Sequence, residues 1–312
     1  MNDSGELFRL ERTADVMKSV CSIILYGTEP ARMEMAVHEA FAEARRIDEM
    51  LSIYRPESEW SRINRHAADC EVAISDEAFQ LLSRCLEYSR LSEGAFDISV
   101  GPLVKAWGFD RGTGRLPDRA LVAASLAKVG FHHIHLNHGA RTVRFDRSGM
   151  EIDPGGIGKG YAVDRMVDIL RREGFDTAFV LASSSSIYGM GAPPREPKGW
   201  GVDILHPGNA RRSVSQVFLK NMSLSTSGGS EQIFWEEGRL YSHLIDPRTG
   251  YPAPGMLSTS VLAPKTLDSE AWTKPCFVNG RAWAAVHMPD CLNAFFYEDS
   301  RQPAAGWLRE PH

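Results

Sequence analysis

Three stretches of the chain gather residues able to handle charge. In Gly155-Gly156-Ile157-Gly158-Lys159-Gly160, glycines let backbone N–H groups approach an anion, a helix start adds its positive end, and Lys159 adds a point charge. The stretch is neither familiar phosphate fingerprint. A P-loop needs Ser or Thr after Gly-Lys, where Gly160 stands, and a dinucleotide loop wants an acidic residue about 20 positions on. A plain strand-to-helix turn with a solvated lysine accounts for it equally well. In Ser242-His243-Leu244-Ile245-Asp246-Pro247-Arg248-Thr249-Gly250, the Asp-Pro-x-Thr-Gly run is a turn signal, because Pro fixes φ and Asp caps its own backbone. On a strand, His243 shares a face with Ile245 while Leu244 takes the other; a lone histidine there is either a proton carrier or a structural residue. Ser225-Thr226-Ser227-Gly228-Gly229 offers hydroxyls and glycines to a phosphate, or merely to a turn.

The elements around these stretches follow from periodicity. Ser19 to Tyr26 reads as a strand ended by Gly27-Thr28. From Met33 to Leu51, Val37, Phe41, Ala44, Ile47 and Leu51 recur three or four apart, which predicts an amphipathic helix. A second helix is expected over Asp76–Leu91, with Phe79, Leu82 and Leu86 inward and Gly94 as its breaker. His132–Leu136 and Thr142–Phe145 alternate like a strand pair about Asn137-His138-Gly139. The glycine turn opens a helix to Leu170. Strands are expected near 177–181, 201–204, 214–219 and 258–262, and helices near 268–277 and 283–288. Strands and helices do not alternate strictly, so the class is α+β rather than a doubly wound parallel sheet. No linker divides the chain. Residues 1–18 read as an N-terminal extension and 19–312 as one large domain.

Composition limits the partners. The 312 residues are 43% hydrophobic and 24% charged, with a net charge of −5, which gives no basic footprint for nucleic acid. The apolar run Val20–Tyr26 is too short to span a bilayer, and the N-terminus has no apolar core of signal-peptide length. These features, with five scattered cysteines and no CxxC, predict a cytoplasmic protein with reduced thiols.

Taken in order, the blocks YGT (26–28), SIYRPESEWSRIN (52–64), GAFDISVGPLVKAWGF (94–109), DPGGIGKGYAVD (153–164), STSGG (225–229) and HLIDPRTG (243–250) resemble the ApbE-type FAD:protein FMN transferases. That resemblance implies an α+β domain with a mixed, mostly antiparallel sheet and flanking helices. It also implies binding of FAD and Mg²⁺, cleavage of the pyrophosphate, and attachment of FMN to a threonine hydroxyl of an acceptor redox protein. Position by position, it makes Tyr54 the aromatic beside the flavin dinucleotide, and Tyr26, where the family usually has Met, a further FAD contact. Ala95, Phe96, Asp97, Asp153, Lys159, His243 and Leu244 become FAD contacts, and Gly156 a source of a metal-binding oxygen. His243, with Asp246, is the candidate for proton transfer or for stabilising charge on the phosphates. Splitting a pyrophosphate calls for such cations and positioned donors, and an acceptor hydroxyl calls for a base.

Two departures stand out. Where the family carries Gly-Gly-Asp, this chain reads Ala182-Ser183-Ser184-Ser185-Ser186-Ile187, with no carboxylate. Where it carries the metal-binding Ala-Asp-x-x-x-Thr, Glu270 takes the Asp position, Lys274 the Thr position, and Thr273 stands one residue before it. An ammonium has no lone pair for a metal. Glu270 and Lys274, at i and i+4, are placed to pair, and Lys274 is expected to supply part of the magnesium charge. The alternative is a slipped helix with Asp268 as ligand and Lys274 solvated. Other activities consistent with these blocks are FAD binding without transfer, and hydrolysis of FAD to FMN and AMP.

Overall fold

The computed structural model describes residues 6–228, 233–236, 238–299 and 305–310. Its centre is an eight-stranded sheet whose strands run in chain order: Phe8–Val16, Ser19–Gly27, Ala178–Ala182, Ser186–Met190, Met222–Gly228, Met256–Ala263, Asn293–Glu298 and Ala305–Trp307. Every ladder in it is antiparallel. The segment read as an N-terminal extension supplies the first strand, paired along its length with Ser19–Gly27.

Side-chain alternation divides the sheet between two cores. Along Ser19–Gly27, Cys21, Ile23 and Leu25 are fully buried on the face that carries the long helices. Ile24 and Tyr26 join a second cluster on the opposite face, roofed by the ribbon Trp200–His206 and Asn209–Leu219. A period of two dictates this outcome, because a one-residue shift would exchange the two sets. The helical face carries α1 (Pro30–Leu51), then α2 (Glu59–His66) and α3 (Asp76–Leu91) toward one end. The short α4 (Gly101–Ala106) and α5 (Arg119–Leu126) lie in a third apolar cluster around Leu103, Trp107, Val122 and Ile245. The long α6 (Gly158–Arg172) packs on α1, and α7 (Thr266–His287) packs on the strands Met222–Gly228 and Met256–Ala263. Gly280, at φ +77°, breaks α7 into the two helical stretches legible in the sequence.

α6 and α7 cap each other. The Asp164 carboxylate on α6 accepts the N–H groups of Thr266 (2.7 Å) and Leu267 (2.9 Å), where α7 begins. In return, the Glu270 carboxylate on α7 accepts the Gly160 N–H at the start of α6. Both arrangements satisfy donors that a helix start leaves open.

Burial pushes the Asp164 carboxyl up to about 6, against the opposing pull of the two N–H bonds. The folded state therefore holds this proton more tightly than the unfolded chain. Stability contributed here is present at low pH and is lost as pH rises from about 4 to about 6. Asp164→Asn should flatten that slope, as read from thermal midpoints measured across the interval. A variant with the wild-type slope would remove Asp164 as its source.

Candidate active site

The two most specific sequence blocks meet through one buried tryptophan. Trp107, at the end of α4, donates its indole N–H to the Gly250 carbonyl (2.8 Å). Phe109 sets its ring at a T-shaped angle to His243, with centroids 6.3 Å apart. Phe234 and Tyr241, from the hairpin Ile233–Glu236 and Arg239–Ser242, complete the aromatic packing around Trp107. His243 thus leaves a rigid hydrophobic base just before a tight turn, in which Gly250 N–H bonds the Asp246 carbonyl (2.9 Å).

Above this base opens a cavity of about 650 Å³. Its walls include Tyr54, Ala95, Phe96, Asp97, Asp153, Gly156, Lys159, His243, Leu244, Glu270 and Lys274. Five separate sequence blocks converge there because the sheet carries the α6–α7 pair against the α4 lobe. Lys159 lies in the first turn of α6, and the 3₁₀ turn Pro154–Gly156 precedes it, fastened by the Asp153 carboxylate on Gly155 N–H (2.7 Å). Burial raises the Asp153 carboxyl above the usual carboxylate range, opposed by that N–H. Tyr54 stands half-exposed at the rim, its hydroxyl donating to the Asp110 carbonyl (3.0 Å). The Lys18 ammonium lies 3.4 Å above its ring.

Several expected residues take other work. Asp97 lines the wall, yet its oxygens are held by Ser99 N–H (2.8 Å), Ser99 hydroxyl (2.7 Å) and Phe131 N–H (2.9 Å). Burial raises its carboxyl despite those bonds, so its first role is to fasten the turn before α4. Tyr26 is absent from the cavity: the strand's alternation turns it to the opposite face, against Trp200 (centroids 6.0 Å). Asp246 is also outside. It grips Arg248 through both oxygens (2.9 Å each), and Nη2 of that guanidinium also donates to Asn279 Oδ1 (2.7 Å). This is a turn anchor rather than a catalytic carboxylate. Thr273 is fully buried, its hydroxyl donating to the Glu270 carbonyl (2.7 Å) and meeting Ser227 Oγ at 2.7 Å. Asp268 lies outside the cavity as well, bound by Arg84 (2.8 Å) and the Tyr88 hydroxyl (2.5 Å). The slipped-helix alternative therefore fails, and Lys274 is the residue that faces the cavity. Gly229, last of the STSGG block, lies outside the described residues.

The sequence reading missed Met17, Lys18, Ser185 and Ser186 as cavity walls. Met17 and Lys18 form the first hairpin's turn with φ +55° at both positions, a conformation that no glycine advertised. Ser185 and Ser186 had been noted only for the carboxylate they lack.

Residues at the family's metal position do not suit Mg²⁺, which takes octahedral oxygens from one or two carboxylates, phosphates and water. One Glu270 oxygen is engaged by Gly160 N–H. The Thr273 hydroxyl is turned into the protein, and the Lys274 ammonium, donating to the Glu270 carbonyl (2.9 Å), occupies the remaining corner. This contact joins Lys274 to Glu270 through the main chain of the preceding turn. Among the described residues, no cluster of three or more His, Cys, Asp or Glu is grouped as a metal site.

The family model described as the ApbE family matches residues 17–296. The chain belongs to the ApbE family. It is 31% identical to the FAD:protein FMN transferase of Treponema pallidum, over 94% of this chain and 86% of that protein. It is 29% identical to one from Klebsiella pneumoniae, over 90% and 89%. Among solved structures it resembles the Thermotoga maritima ApbE protein (TM-score 0.86, 25% identity, 96% and 97% covered) and the apo Pseudomonas stutzeri flavinyl transferase ApbE (0.85, 27%, 98% and 96%). Within this ApbE-family chain, the α+β class and largely antiparallel sheet implied by the sequence blocks are as expected.

Proposed function

We propose that this protein transfers FMN from FAD to a hydroxyl of an acceptor protein, with a threonine as the acceptor side chain. The observation that carries the reading is the convergence of Tyr54, Phe96, Asp153, Lys159, His243 and Glu270 on one cavity, in a chain whose curated relatives are named for this reaction. The cavity is large enough for much of a dinucleotide and mixes apolar walls with a few charged groups, as small-molecule sites do.

The chemistry divides among these residues as follows. The aromatic and aliphatic walls, Tyr54, Phe96 and Leu244, hold the flavin end, and the glycine turn with Lys159 holds the phosphates. The acceptor hydroxyl oxygen attacks the phosphorus on the FMN side, and the bond from that phosphorus to the AMP phosphate oxygen breaks. AMP leaves carrying the electron pair. His243 takes the hydroxyl proton as the new P–O bond forms, since a threonine hydroxyl is too weak an acid to ionise unaided. Positioned cations and N–H donors stabilise charge that grows on the leaving phosphate.

The acceptor is a redox protein. All five cysteines are free, two of them exposed, which supports a reducing, cytoplasmic setting.

Incubation of the purified protein with FAD and a threonine-bearing acceptor domain tests the reading by intact mass and AMP release. The expected result is an FMN mass increment on the acceptor with one AMP for each adduct. AMP without adduct would make the protein a pyrophosphatase, and binding with neither product a flavin carrier.

A further inference from the structure

At the inner end of the cavity are two features that a metal-centred site would not need. Ser185 and Ser186 line the cavity, are more than nine-tenths buried, and carry hydroxyl oxygens with no hydrogen-bond partner among the described residues. Buried hydroxyls without partners are rare, because each has given up water for nothing. Their place is fixed from the neighbouring strand, where the Thr226 N–H donates to the Ser185 carbonyl (2.9 Å). The next residue of that strand, Ser227, meets Thr273 Oγ1 at 2.7 Å. Lys274 follows directly on α7 and also lines the cavity. Its Cε lies 3.5 Å from where a Cβ on Gly156 would stand, so the lysine stem runs beside the glycine turn.

We infer that Lys274, Ser185 and Ser186 form a built-in anion seat that holds the substrate's phosphates without a divalent cation. The ammonium, one of whose protons goes to the Glu270 carbonyl, supplies fixed positive charge, and the two hydroxyls supply rotatable donors. A divalent ion placed in the same corner would meet a like charge and a Glu270 carboxylate already partly engaged by Gly160. The seat takes a pyrophosphate group, and its use in FMN transfer rests on the function proposed above.

Binding of FAD, followed by flavin fluorescence, and of inorganic pyrophosphate, followed by calorimetry, tests the seat in EDTA and in excess MgCl₂. The wild-type protein should bind both ligands in EDTA within about threefold of its affinity with magnesium, and Lys274→Met should weaken binding in EDTA by about tenfold or more. Lys274→Arg should retain metal-free binding, whereas Lys274→Thr should make binding respond to magnesium. The Ser185→Ala/Ser186→Ala double variant should bind pyrophosphate several-fold more weakly, which keeps a reading available if a Lys274 variant misfolds. Wild-type binding that requires magnesium would overturn the inference. So would wild-type affinity in EDTA for a Lys274→Met protein with a normal thermal midpoint. Pyrophosphate binding in EDTA without any FMN adduct would sink the transferase reading and leave the seat, and FMN transfer by a protein that binds FAD and pyrophosphate only with magnesium would do the reverse.

Discussion

Replacing His243 by alanine is expected to slow FMN transfer about 10²–10⁴-fold, the usual contribution of a positioned acid–base group, while FAD affinity changes far less. The argument rests on position. His243 projects from a strand end anchored on both sides: Phe109 packs edge-to-face against its ring, and the following turn is clamped by Asp246 and Arg248. Its side chain lines the cavity while its neighbour Leu244 is buried beside it. Truncation removes the proton acceptor and leaves the phosphate donors and apolar walls in place. Single-turnover transfer, measured alongside FAD titration, separates the two roles. A fall in FAD affinity that matches the loss of rate would make His243 a binding residue. An unchanged rate would exclude it from the chemistry, and partial rescue by added imidazole would support proton transfer directly.

Gly160→Ala should destabilise the fold by about 3 kcal/mol, although glycine-to-alanine changes inside helices ordinarily stabilise by up to about 1 kcal/mol. A Cβ at Gly160 would lie 2.5 Å from the Thr266 carbonyl oxygen and 2.7 Å from Glu270 Oε2. Both obstacles belong to α7, and the carbonyl is main chain that no rotamer change can move. The two helices would have to separate, which breaks the Gly160 N–H bond to Glu270 and loosens the cavity wall that carries Lys159 and Lys274. Gly158→Ala provides the contrast two residues earlier in α6. There the nearest atoms to an added Cβ are 3.6 and 3.8 Å away, so the change should be close to neutral. Denaturant unfolding of both variants measures the difference. Equal stabilities would mean that the α6–α7 contact is soft enough to absorb a methyl group.

How far the sequence reaches can be judged from particular residues. The strand Ser19–Gly27, α1, α3 and the hairpin at 134–145 were legible because each carries a strong period of its own, with end signals such as Gly27 and Gly94. The strands Ser186–Met190 and Met222–Gly228 were not. Ser186, Ser223, Ser225 and Ser227 are buried in them, and serines read as turn formers until it is seen that Ser223, Ser225 and Ser227 bond to the hydroxyls of Ser269 and Thr273 on α7. The place of Tyr26 was hidden for a related reason. Its type suits a flavin site, but the pleat alone decides its face, and the pleat faces it toward Trp200.

By itself, then, the sequence determined the family, the α+β class and the identity of the charged groups at the centre: a lysine where a threonine is usual, a glutamate for an aspartate, and serines in place of a carboxylate. Only the tertiary structure decided which of those groups share a space. Asp246 and Lys274 looked equally available in one dimension. In three, Asp246 is used up by the arginine two residues away, while Lys274 is carried on α7 to the cavity wall beside the glycine turn. The reason is that local periodicity fixes which way a side chain leaves its own element, whereas which partner it meets depends on contacts between residues a hundred positions apart, such as Gly160 with Glu270 and Asp164 with Thr266.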